Sequence, residues 1–152
     1  MTTLTVTGLN KTYTLRNGMQ FTKLQAVKDV DLELSPGRTV ALVGQSGSGK
    51  STMAKILAQL EKPTSGTITL DGNPIGTRGR ALAHYRDHVQ MVFQDPFASL
   101  NPFHTIGHHL ERPLLLHGKA TRANLAVKVK QLLERVNLTP ADSFIERRPH
   151  EL

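Results

Sequence analysis

Apolar and polar residues alternate at Leu4-Thr5-Val6-Thr7 and again at Val30-Asp31-Leu32-Glu33-Leu34, which runs into the turn pair Pro36-Gly37. A period of two marks a strand with one buried face, so these segments predict two half-buried strands of an antiparallel edge region. Thr39-Val40-Ala41-Leu42-Val43 is apolar after its first residue, the pattern of a central parallel strand covered on both sides. Beyond a glycine-rich loop, Met53, Ile56, Leu57 and Leu60 fall at i, i+3, i+4 and i+7, one face of a helix that Lys62-Pro63 brings to a stop. Residues 66–70 alternate up to the turn pair Asp71-Gly72, and Val89 to Phe93 is a second apolar run able to pair in a sheet. From Thr105 the pattern turns helical. Over Thr121 to Asn137, Leu125, Val129, Leu132, Leu133 and Val136 share one face with Lys and Arg opposite. The order of elements predicts an α/β fold: an antiparallel β region, part of a parallel core sheet, and a mostly helical last third.

The loop between the apolar run and the first helix carries the chemistry. Gly44-Gln45-Ser46-Gly47-Ser48-Gly49-Lys50-Ser51 has Gly, four residues, Gly, Lys and Ser at P-loop spacing, in the strand-to-helix context the pattern requires. Glycines at 44, 47 and 49 allow positive φ and let successive N–H groups surround a phosphate with no Cβ in the way. The positive end of the helix dipole adds to this attraction. Lys50 is expected to reach the β and γ phosphates, and Ser51 to place its hydroxyl on Mg²⁺. Gly44 through Ser51, with Thr52, form the expected nucleotide-binding set.

Composition narrows the picture only slightly. With no cysteine among 152 residues, disulfides, thiolate nucleophiles and cysteine-type zinc sites are excluded. No apolar run approaches the ~18 to 20 residues that span a bilayer, and residues 1–4 do not open a secretory signal, so a cytoplasmic chain is expected. Nineteen Lys and Arg against twelve Asp and Glu give a net charge of +7. That charge favours anionic partners but is scattered, and with two Tyr, five Phe and no Trp there is little to stack bases, so no nucleic-acid partner is expected. His104 and His108 form an i, i+4 pair with His109 adjacent, but no Glu lies between the pair to act as a base. These read as surface or interface histidines. Leu114-Leu115-Leu116 after Pro113 reads as the buried side of a short helix.

The loop alone is compatible with a GTPase, a small-molecule kinase or a nucleic-acid-binding ATPase. A GTPase is disfavoured, since no Asp is followed three residues on by Gly and Asn10-Lys11-Thr12-Tyr13 precedes the loop. The segment Gln90-Met91-Val92-Phe93-Gln94-Asp95-Pro96-Phe97-Ala98-Ser99-Leu100-Asn101-Pro102 resembles the glutamine loop of ABC transporter ATPases, especially those of peptide and nickel importers. With Tyr13 near the N-terminus and the Walker A loop at 44–51, the resemblance covers essentially the whole chain. It implies the N-terminal portion of an ABC nucleotide-binding domain, with the β region and P-loop core at about 1–95 and an incomplete helical subdomain at about 96–152.

The resemblance also implies roles. Tyr13 is the aromatic that stacks on adenine, which suits a ring face tolerant of any base. Gln94 touches Mg²⁺ and the attacking water, because an amide offers both donor and acceptor. ATP and Mg²⁺ are the implied cofactors. Membrane-spanning permease subunits, a second ATP-binding subunit and, indirectly, an extracytoplasmic solute-binding protein are the implied partners, at the inner face of the cell membrane. Asp95 is expected to cap a loop rather than act in catalysis. Arg148-Pro149-His150-Glu151-Leu152 resembles the approach to the family's Leu-Ser-Gly-Gly-Gln signature, and none of the six aspartates follows a four-residue apolar run as a Walker B Asp does. These 152 residues are therefore expected to bind ATP without hydrolysing it, the Walker B strand, catalytic Glu, signature and switch His being missing from them.

Overall fold

The computed structural model describes residues 2–95 and 97–152; Pro96 of the glutamine-loop segment lies outside them. The chain divides into two compact units, residues 1–91 and 92–152.

The first unit is built on a four-stranded antiparallel sheet with strand order β2-β1-β3-β4. Strands β1 (Leu4–Asn17) and β2 (Gln20–Leu34) form one long hairpin, and β3 (Ser65–Leu70) and β4 (Asn73–Pro74) a short one. Both hairpins close with two-residue loops whose backbone matches the strand twist. In the first, Gly18 supplies positive φ ahead of Met19; in the second, Asp71 and Gly72 both have positive φ. The two predicted strands lie inside β1 and β2, where Leu4 pairs with Leu34 and Val6 with Leu32.

One face of this sheet is buried against two helices. Leu4, Val6, Leu9, Val27 and Ile68 pack with Met53, Ile56 and Leu57 of α1 (Lys50–Leu57) and with Tyr85 of α2 (Gly79–His88). Burying each such aliphatic side chain contributes about 1.5–3 kcal/mol, so the strand period and the helix period converge on one core. Helix α1 ends before Lys62-Pro63. Gln59 enters the left-handed region at φ 54°, while its N–H bonds Ile56 O and that of Leu60 bonds Lys55 O, a Schellman closure made without glycine. Leu60 thus lies beyond the helix and is half exposed.

Tyr85 of α2 donates its hydroxyl to Leu57 O, satisfying a carbonyl at the open end of α1. Burial pushes this phenol up to about 12, so it serves as a neutral donor. Replacing Tyr85 with Phe leaves that carbonyl unpaired in the core. It should lower unfolding free energy by about 1–3 kcal/mol, measured by urea denaturation; unchanged stability would mean the bond contributes nothing.

Two strand expectations are not met. Residues 39–43 and 89–93 have no strand pairing; Val43 is 92% exposed and Val92 91%. A parallel strand covered on both faces needs hydrogen-bonding neighbours at its edges, and none of the described residues provides them. The sheet present is wholly antiparallel.

The second unit packs α3 (Ile106–Leu116), α4 (Leu125–Arg135) and α5 (Asp142–Ile145) around Ile106, Val129, Leu133 and Ala141. Thr105 caps α3, its hydroxyl accepting from His108 N at 3.2 Å. Leu110 and Leu114 join the core, but Leu115 and Leu116 are exposed, contrary to a buried leucine run: at 100° per residue three consecutive positions cannot all face inward. Val136 falls just past α4 and is exposed. No helix among the described residues is long and apolar enough to cross a membrane.

Candidate phosphate-binding site

Gly44 to Ser48 lie exposed on the first unit between the unpaired run 39–43 and α1. Gly49 is the N-cap of α1 with φ 90°, and Met53 N–H closes the first helical turn on Gly49 O at 2.8 Å. No side chain caps this end, so the first N–H groups of α1 face the loop without an acceptor from a capping residue. Ser51 and Thr52 follow in the first turn of α1.

The Lys50 side chain folds back over the loop. Its ammonium donates to Gly44 O and Gln45 O, both at 2.7 Å, and to Ser48 Oγ at 3.2 Å. A positive charge is thereby held over a ring of backbone, the arrangement needed to receive a phosphate oxygen. The glycines leave room for this. A Cβ on Gly44 would stand 2.8 Å from Ser48 Oγ, and one on Gly49 would fall on the carbonyl oxygen of Ala26 in β2. The loop is thus braced from behind by β2, and a cavity of about 410 Å³ opens beside it, bounded by Gln25, Lys28, Gly44, Ser48, Lys50 and Met53 among others. An anion cradle with one fixed cation and a hydroxyl-bearing first helical turn fits a magnesium-bound nucleotide phosphate.

Tyr13 does not border that cavity. It stands in β1, where its hydroxyl donates to Glu61 Oε2 at 2.7 Å and the Lys11 ammonium lies 4.8 Å from its ring centroid. Lys11 also pairs with Glu61 at 3.0 Å. The Tyr13 hydrogen bond first, and then Lys11, hold the Glu61 carboxyl below its ordinary range. Sequence reading missed Lys11 and Glu61, because 48 residues separate Glu61 from Tyr13. It also missed the approach of Ala26 to the loop, which has no local signal.

Gln94 lies at the start of the second unit, exposed and outside any strand. Its neighbour Asp95 accepts Ala98 N–H at 3.1 Å through Oδ1 and so caps the 3₁₀ turn Phe97–Ser99. His104 and His108 stack with ring centroids 4.0 Å apart, and His109 meets each edge-on at 6.1 and 6.3 Å. Burial, followed by the neighbouring His108, His109 and Arg112, lowers the His104 pKa, favouring the neutral ring. Among the described residues no group of three or more His, Cys, Asp or Glu side chains could hold a metal ion.

The sequence pattern of the ABC transporter family matches residues 27–152, which includes the phosphate loop and the glutamine-loop segment. The chain belongs to the ABC transporter family. It is 41% identical over 97% of its length to the glutathione import ATP-binding protein GsiA of Pectobacterium atrosepticum, covering 24% of that protein. It is 39% identical over 98% of its length to the di/tripeptide transport ATP-binding protein DppF of Pseudomonas aeruginosa, covering 46% of it. The chain therefore spans about half or less of the curated relatives it matches. Among solved structures, the dimeric bacterial ABC transporter cassette MJ0796 superposes with a TM-score of 0.74 at 29% identity, over 98% of this chain and 62% of that one. The same cassette bound to ADP and Pi matches equally well, with a TM-score of 0.74 at 28% identity. The ABC cassette fold is shared.

Proposed function

We propose that this chain is the phosphate-loop portion of an ATP-binding subunit of an ABC importer, in which ATP binding is coupled to solute movement by membrane-spanning permease subunits. The reading rests chiefly on the Lys50 ammonium, fixed on Gly44 O, Gln45 O and Ser48 Oγ at the start of α1, in a chain of the ABC transporter family. Gly44, Gln45, Ser46, Gly47, Ser48 and Gly49 would surround the phosphates with backbone N–H groups, and Thr52 would extend the contact into α1. Mg²⁺ would be held by Ser51 together with phosphate oxygens; when bound it neutralises phosphate charge. Tyr13 would offer the base a ring already fixed by Lys11 and Glu61.

The relatives' names, glutathione import and di/tripeptide transport, support a peptide-class solute over a nickel-type one. A second ATP-binding subunit and a solute-binding protein complete the proposed assembly, which would lie on the cytoplasmic face of the membrane. Neither the kinase nor the nucleic-acid reading draws support from the family match.

Calorimetric titration of the 152-residue chain with MgATP, MgGTP and MgAMP tests this. Saturable binding of MgATP, weakening as phosphates are removed, is expected. A chain that binds none of the three would refute the reading.

A further inference from the structure

Strand β2 passes the loop as an irregular ribbon. Between the pairs Leu9↔Val30 and Lys11↔Val27 it takes three steps to β1's two, and between Lys11↔Val27 and Thr12↔Gln25 it takes two steps to one. It therefore accommodates one extra residue within Lys28-Asp29 and another at Ala26. Asp29 has a left-handed φ of 44°, and its N–H is held by Asn10 Oδ1 at 3.0 Å. Bulges bend a strand, free backbone groups from the ladder and re-aim side chains, and they concentrate beside functional sites.

This irregular stretch is also the part of β2 that meets the loop. The Ala26 carbonyl backs Gly49, while Gln25, Ala26 and Lys28 border the same cavity of about 410 Å³ as Gly44, Ser48 and Lys50. Lys28 is exposed, and among the described residues no ion pair or hydrogen bond holds its ammonium. Lys50, by contrast, has all three donors committed to loop oxygens. A polyphosphate brings several negative charges, more than one ammonium neutralises.

We infer that the bulged stretch Gln25–Asp29 is a second wall of the nucleotide site and that Lys28 supplies it with a mobile cation for the polyphosphate. The inference rests on the reading of the loop as an ATP site. A lysine that merely solvates a strand surface would show none of the following.

The test titrates MgATP, MgADP and AMP into the full chain and into its Lys28→Ala, Lys28→Gln and Lys28→Arg variants. Lys28→Ala and Lys28→Gln should weaken MgATP binding by roughly three- to tenfold, with AMP little affected and the ATP effect shrinking as salt is raised. Lys28→Arg should stay close to the unsubstituted chain. Because Lys28 is exposed, melting temperatures should agree across the set. Unchanged MgATP affinity in Lys28→Ala, or an equal loss for ATP and AMP, overturns the role of Lys28 while leaving the loop assignment standing. Failure of the unsubstituted chain to bind MgATP would instead bring down both.

Discussion

Replacing Lys50 with Ala should weaken MgATP binding by at least about 100-fold, equivalent to roughly 2.7 kcal/mol, with little change in melting temperature. The ammonium is held over the loop by Gly44 O, Gln45 O and Ser48 Oγ. When a phosphate oxygen enters, it replaces one of these neutral acceptors with a charged one, and charge-assisted hydrogen bonds of this kind are about twice as strong. Alanine removes that gain and leaves the loop carbonyls pointing at an anion with no cation between them. Stability should hold because Lys50 belongs to no core and alanine is the better helix former at the first position of α1. Lys50→Arg should not restore binding, since a planar guanidinium cannot place three donors on three converging oxygens as an ammonium does. Calorimetry on the three proteins checks this. Unchanged affinity in Lys50→Ala would remove the phosphate-loop assignment.

The parts of this site that depend on adjacent residues were legible in the sequence. Loop spacing, the helix beginning at Lys50 and its face of Met53, Ile56 and Leu57 are all set within fourteen positions, 44 to 57, and local geometry decides them. The long hairpin was only partly legible. Its strands alternate cleanly at 4–7 and 30–34, but between them the bulges at Ala26 and Lys28-Asp29 break the period of two and the outer segments face solvent. The two strands meet around the two-residue loop Gly18-Met19. Helix α2 was obscured because its buried Tyr85 stands among Arg, His and Asp. The misread runs at 39–43 and 89–93 show a different limit. An apolar run reports that a segment is suited to burial, but not which neighbours bury it.

The second large effect concerns Gly49, where two constraints act at once. Its φ of 90° lies in the left-handed region, which costs an L-residue about 1–2 kcal/mol. A Cβ there would also fall on the carbonyl oxygen of Ala26, a backbone atom held in the bulged part of β2. Relief requires β2 and the start of α1 to move apart, and these are the elements that bring Val27 against Met53 and Ile56 in the core. Gly49→Ala should therefore cost about 3 kcal/mol or more and weaken nucleotide binding as the loop loses its brace. Gly47 separates the two constraints. Its φ is 79°, but a Cβ there meets nothing within 4 Å, so Gly47→Ala should cost only the backbone strain of about 1–2 kcal/mol. Urea denaturation of both variants measures the difference. If Gly49→Ala proves no less stable than Gly47→Ala, β2 does not press on the loop in solution, and the brace that positions Lys50 must come from elsewhere.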